Sequence, residues 1–135
     1  MIKTIAGNFF EEFSVGQKIA HATPRTLSEG DRALYTALCG SRFAVQSSDE
    51  FARAIGYPAS PLDDLLVFNT VFGKTVPDIS LNAIANLGYA ECVFSSPVYA
   101  GDTLSARSEV MLASYRLVMA HSCSPRGIQS VGRST

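Results

Sequence analysis

Ser60-Pro61-Leu62-Asp63-Asp64-Leu65-Leu66-Val67-Phe68-Asn69-Thr70-Val71-Phe72-Gly73-Lys74 reads as a single helix with almost no polar face. Ser60 suits the N-cap, where its hydroxyl can accept an orphan backbone N–H, and Pro61 suits the first helical position. Asp63 and Asp64 then fall in the first turn, against the positive end of the helix dipole, with Asp63 at capping-box spacing. Lys74 sits in the last turn and Pro77 forbids continuation, which predicts a helix over 61–74. A helix apolar nearly all round is buried or membrane-spanning. At 1.5 Å per residue it would be roughly 22 Å long, too short to span a bilayer. The expectation is a buried helix that the remaining elements wrap.

The 135 residues suffice for one domain with a core of its own, and a net charge of −1 gives no electrostatic case for nucleic acid or an anionic membrane. No apolar run has the length of a membrane span and residues 1–8 lack a signal-peptide pattern, so a cytoplasmic protein is expected. Cys39, Cys92 and Cys123 are too widely spaced for a metal or redox motif; buried free thiols in a reducing compartment are the plain reading.

Gln17 to Leu27 alternates loosely and predicts a strand. Ser28 caps a short helix closed by Gly40, and Ser48 caps another over Asp49–Ile55. After Pro77-Asp78, Leu81–Phe94 reads as a long strand, Leu104–Leu112 as an alternating one, and Tyr115–Ala120 as one more. Residues 122–135 carry only Ile128 and Val131 as apolar anchors and read as a poorly ordered or weakly stranded tail beyond a 1–121 domain. One apolar helix followed by antiparallel strands predicts an α+β fold with a curved sheet around the helix.

Three stretches resemble a known family. Val93-Phe94-Ser95-Ser96-Pro97-Val98-Tyr99-Ala100-Gly101-Asp102-Thr103-Leu104 is similar to the F…PV…GDTL segment of MaoC-like enoyl-coenzyme A hydratases. Phe10–Gln17 followed by Arg25–Asp31 resembles their N-terminal segment. Gly73–Glu91 is similar to one branch, the mesaconyl-coenzyme A hydratases or β-methylmalyl-coenzyme A dehydratases, whose longer chains carry two hotdog halves. The resemblance spans about Asn8–Val110 and implies a hotdog fold, possibly incomplete at its C-terminal end. It also implies an acyl-coenzyme A thioester as substrate, reversible hydration as the reaction, and neither metal nor cofactor. A homodimer or a second hotdog half would be the partner.

Hydration needs a base to activate water and an acid to protonate the α-carbon. The family writes these into G-D-x-N-P-x-H-x-D-x-x-x-A, which falls here on Gly40–Ala52. The spacing and the terminal Gly40 and Ala52 survive, but Ser41 replaces the Asp and Gln46 the His. Neither titrates near neutral pH. Asp63-Asp64-Leu65 also stands where the family has Ala-His-Gly. The resemblance thus implies the N-terminal half, which shapes the acyl pocket while the other half holds the catalytic pair, and no confident catalytic residue remains here.

Arg42, Phe43, Gln46, Asp64 and Asn86 are the candidate substrate-binding positions, with Ser41 and Gln46 as neutral donors to a thioester carbonyl and Asn82 beside Asn86 in the branch-specific stretch. Arg42 also fits an ordinary loop salt bridge, and Asp63 and Asp64 fit plain helix capping. Asp63 or Asp64 could alternatively direct water at a thioester, which would make the chain a thioesterase. A non-enzymatic assembly module is the third reading. His21 and His121 lie off the motif and read as surface or internally satisfied histidines.

Overall fold

The computed structural model describes residues 7–21, 24–41, 43–86, 88–89, 91–113 and 117–125, with 112–113 and 117–125 described by backbone alone. Among these described residues, three α-helices and four strands appear in the order β1 (Lys18–Ala20), β2 (Arg25–Thr26), α1 (Glu29–Cys39), α2 (Asp49–Ala54), α3 (Asp64–Ile79), β3 (Thr103–Ala113) and β4 (Leu117–Pro125).

β3 organises the sheet. β4 pairs with it antiparallel from Leu104↔Pro125 to Ala113↔Leu117, with an irregularity between Val110 and Leu112. That occupies one edge, so β1 and β2 share the other: Ile19 faces Ser108 and Arg25 faces Leu104. The strand expected over Gln17–Leu27 is therefore two short strands on one edge, linked by N–H donations from His21 to the Ala106 carbonyl and from Leu27 to the Asp102 carbonyl.

α3 packs on this sheet through Val67, Val71 and Thr75, spaced four apart and all buried. Leu27, Leu62, Val98, Leu104 and Ala106 complete the core around Val67 and Val71, and Leu66 packs against its edge. The sheet around a central helix matches the fold expected, but the helix boundaries do not. α3 begins after Asp63, whose carboxylate accepts the Leu65 N–H at 2.8 Å, and continues through Pro77 to Ile79 instead of spanning 61–74.

The reason is tertiary. The Ser60 N–H donates to Asp49 Oδ1 at 3.0 Å and the Leu62 N–H to the Val98 carbonyl at 2.7 Å. Ser60, Pro61 and Leu62 are all buried in that docked, non-helical segment. The cap passes to Asp63, the next residue able to serve. Pro77 costs the helix one hydrogen bond without ending it.

α1 and α2 form where Ser28 and Ser48 predict them, each serine accepting an N3 backbone N–H. Gly40 closes α1 at φ 72°, a conformation that favours glycine. The long strand expected over Leu81–Phe94 is absent among the described residues, where Leu81, Ile84, Tyr89, Val93 and Phe94 are exposed. The last strand runs to Pro125, past the Tyr115–Ala120 range and past the 121/122 boundary; residues 126–135 lie outside the described set. Cys39 and Cys92 are free thiols, but exposed and not buried.

Candidate functional site

The turn after α1, the single turn of 3-10 helix at Ala44–Gln46 and the start of α3 meet around a cavity of about 10 Å3, the volume of one water. Ser41, Gln46, Asp63 and Leu66 line it together with Tyr35 and Thr36 of α1. The two motif positions thus converge, as their spacing implies, and Asp63 joins them.

None of the three is poised for proton transfer. The Ser41 hydroxyl donates to the Phe43 carbonyl at 2.9 Å and closes its own turn. Gln46 Oε1 is buried without a hydrogen-bond partner among the described residues. Asp63 is occupied as the cap of α3. Asp64 does not line this cavity and is exposed; partial burial, then the Asp63 charge beside it, raises its carboxyl above the ordinary value.

The other sequence candidates stand apart. Phe43 is exposed at the start of the 3-10 turn, and Arg42 lies outside the described residues. Asn86 is exposed and spends its side chain locally, donating to the Tyr89 hydroxyl at 2.6 Å and accepting from the Gly88 N–H at 3.1 Å. Asn82 donates to the Asn8 carbonyl at 3.4 Å. Tyr89 in turn sets its ring edge-on to Phe68 and Phe72, at 5.1 and 5.7 Å between centroids. The side chain of His121 is outside the described set.

His21 is internally satisfied, one of the two alternatives its sequence left open. Its side chain is fully buried, with Nδ1 at 2.8 Å from Asp78 Oδ2 and Nε2 at 2.7 Å from Ser108 Oγ. A carboxylate only accepts, so Nδ1 carries the proton, and the Ser108 hydroxyl can donate to Nε2. The available signal was parity: His21 lies two residues after Ile19, on the same strand face. A third of the Asp78 side chain stays exposed, opening on a cleft of about 420 Å3 beside the C-terminal half of α3.

Comparisons place this arrangement. The chain superimposes with a TM-score of 0.88 and 52% identity on a MaoC domain protein dehydratase from Chloroflexus aurantiacus, covering 97% of this chain and 39% of that one. It superimposes with a TM-score of 0.76 and 25% identity on a double-hotdog protein from Mycobacterium tuberculosis, covering 89% of this chain and 40% of that one. The fold is a MaoC-like hotdog domain.

The sequence profile of the mesaconyl-CoA hydratase family matches residues 3–123, and the chain belongs to that family. It is 65% identical over 109 residues to a β-methylmalyl-CoA dehydratase of Chloroflexus aurantiacus and 63% identical over 110 to a mesaconyl-CoA hydratase of Cereibacter sphaeroides. Those matches cover 81% and 82% of this chain but only 31% and 32% of the relatives, so it spans about a third of their length.

Proposed function

We infer that this chain is an enoyl-CoA hydratase/dehydratase-type domain that shapes the acyl-thioester pocket and does not itself carry the acid–base pair. One observation carries the reading: Ser41 and Gln46, at the family's Asp and His positions, face the same water-sized cavity. The frame persists without the family's acid–base pair, and the one carboxylate present, Asp63, is held as a helix cap. The relatives' names supply the substrate class, a mesaconyl- or methylmalyl-type coenzyme A thioester. A second hotdog half, or a second chain in a dimer, would then supply base and acid. Exposed Cys39 and Cys92, both unpaired, suit a reducing cytoplasm, and among the described residues no helix is long and apolar enough to cross a membrane.

The test is restoration. Ser41→Asp combined with Gln46→His should confer hydration of mesaconyl-CoA on a chain that otherwise lacks it, while either change alone should not. A folded double variant that binds the thioester without turning it over counts against the assigned positions.

A second reading is hydrolysis of the thioester, with Asp64, exposed in the first turn of α3, directing water at it. Release of free thiol from acyl-CoA, abolished in Asp64→Asn, is the required result; no release ends it.

A further inference from the structure

α1 is amphipathic with its faces reversed. The side turned to the domain is polar: Asp31 pairs with Arg25 and Arg32 with Asp49, while Arg32, Tyr35 and Thr36 line the cavity beside Ser41 and Gln46. Ala33, Leu34, Ala37 and Leu38 form the opposite stripe, and all four are exposed. Leu34 and Leu38 are 63% and 77% exposed, and no residue of α1 is buried.

Single exposed leucines are ordinary on a protein surface, but an apolar helix face turned wholly to solvent is not. α1 has 11 residues, a length that is marginal in water on propensity alone and that draws its stability from packing an apolar face. The chain gives α1 a cap at Ser28 and ion pairs on its polar side, and leaves the apolar side to solvent.

The order of residues in the stripe fits a second copy of itself. A small and a large residue follow each other on each turn, Ala33-Leu34 and then Ala37-Leu38. Turned end for end about a two-fold axis level with the Tyr35–Thr36 peptide, a second α1 sets its Leu38 over Ala33 and its Leu34 over Ala37. Every leucine then meets an alanine, and the same four residues serve both copies, as a two-fold interface requires. A parallel pair would set leucine on leucine and leave gaps at the alanines. The antiparallel pair also aligns the helix dipoles favourably, and the stripe holds no charge for the contact to bury.

We propose that α1 is a self-association surface, pairing antiparallel with α1 of a second copy through Ala33, Leu34, Ala37 and Leu38. The helix also walls the cavity with Tyr35 and Thr36, so pairing braces that wall from outside. The stripe exposes roughly 350 Å2, under half of the ~800 Å2 per partner typical of a stable complex, so the pair is weak and forms at about tens of micromolar and above. None of this depends on the thioester reading.

The experiment is sedimentation equilibrium of the full chain over roughly 5–500 µM, beside two variants. The parent should pass from monomer to dimer across that range. Leu34→Glu with Leu38→Glu should weaken pairing about a hundredfold or more, with circular dichroism unchanged because both side chains are exposed. Ala37→Leu suits a helix and enlarges the apolar surface, yet sets leucine against leucine, so it should weaken pairing about tenfold. Should the glutamates unfold the helix, Ala37→Leu alone decides, since nonspecific apolar contact would be tightened by it. A parent that stays monomeric throughout overturns the proposal. So does a dimer that the glutamates leave intact, or one that Ala37→Leu leaves unchanged or tightens.

Discussion

His21 Nδ1 lies 2.8 Å from Asp78 Oδ2, so a ring buried under the sheet holds the last turn of the central helix. Nε2 ties the same ring to Ser108 on β3, and Asn8 donates to the Asp78 carbonyl at 2.6 Å. β1, α3 and β3 are thereby joined by one polar chain in a core otherwise closed by Leu27, Leu62 and Leu104.

His21→Ala removes the centre of that chain and leaves the buried Ser108 hydroxyl and the Asp78 carboxylate without this partner. The expected loss is about 2–3 kcal/mol, read as a lower urea midpoint at constant slope. A loss under about 0.5 kcal/mol would show that the network contributes little.

The cap of α3 separates Asp63 from Ser60. Asp63→Ala should cost about 1 kcal/mol, because it removes the acceptor of the Leu65 N–H. Ser60→Ala should change stability by less than about 0.5 kcal/mol. The buried Ser60 hydroxyl lies near enough to Asp49 to help lower its carboxyl, yet makes no hydrogen bond of good geometry among the described residues, and the Ser60 backbone N–H survives the substitution. Thermal melts of the two variants decide between the structural cap and the one the local pattern suggests.

Gly73→Ala should stabilise the chain by about 0.5–1 kcal/mol, since the added methyl meets open space and the backbone is helical. A destabilised variant would mean that the Gly73–Pro77 turn needs glycine's freedom.

The pH dependence has two opposite contributions. Asp31, through its hydrogen bonds with Ser28 and then the Arg25 charge, and Asp49, through the hydrogen bond from Ser60, lie below the ordinary value of 3.8. Their stabilisation is present above that value and is lost as pH falls through the folded-state value. Asp64 lies above 3.8, so its contribution is present below that value and is lost as pH rises through the folded one. Asp64→Asn should therefore raise stability at neutral pH and converge with the parent below about pH 3.8, a convergence that denaturation at both pH values measures.

Local signals were sufficient for α1, α2 and β3. Ser28 and Ser48 cap the helices they announce, and Leu104–Leu112 alternates as a strand with one face in the core. They failed where distant partners decide. Ser60 has the chemistry of a cap, but Asp49 and Val98 hold its segment out of the helix. Leu81–Phe94 has the residues of a strand, yet a strand exists only beside another backbone, and the described residues there pair with none. The site divided in the same way. Ser41 and Gln46 lie five positions apart, close enough for one short segment to bring them to the same cavity. His21 and Asp78 are 57 positions apart and joined only by the packing of α3 on the sheet.

The central claim is a pocket frame without its acid–base pair. The most direct measurement is hydration of mesaconyl-CoA by the purified, unmodified chain, once circular dichroism shows it folded. No turnover is expected, because Ser41 and Gln46 cannot exchange protons at the positions they hold. Turnover that survives Ser41→Ala and Gln46→Ala would place the chemistry elsewhere in this chain and contradict the account.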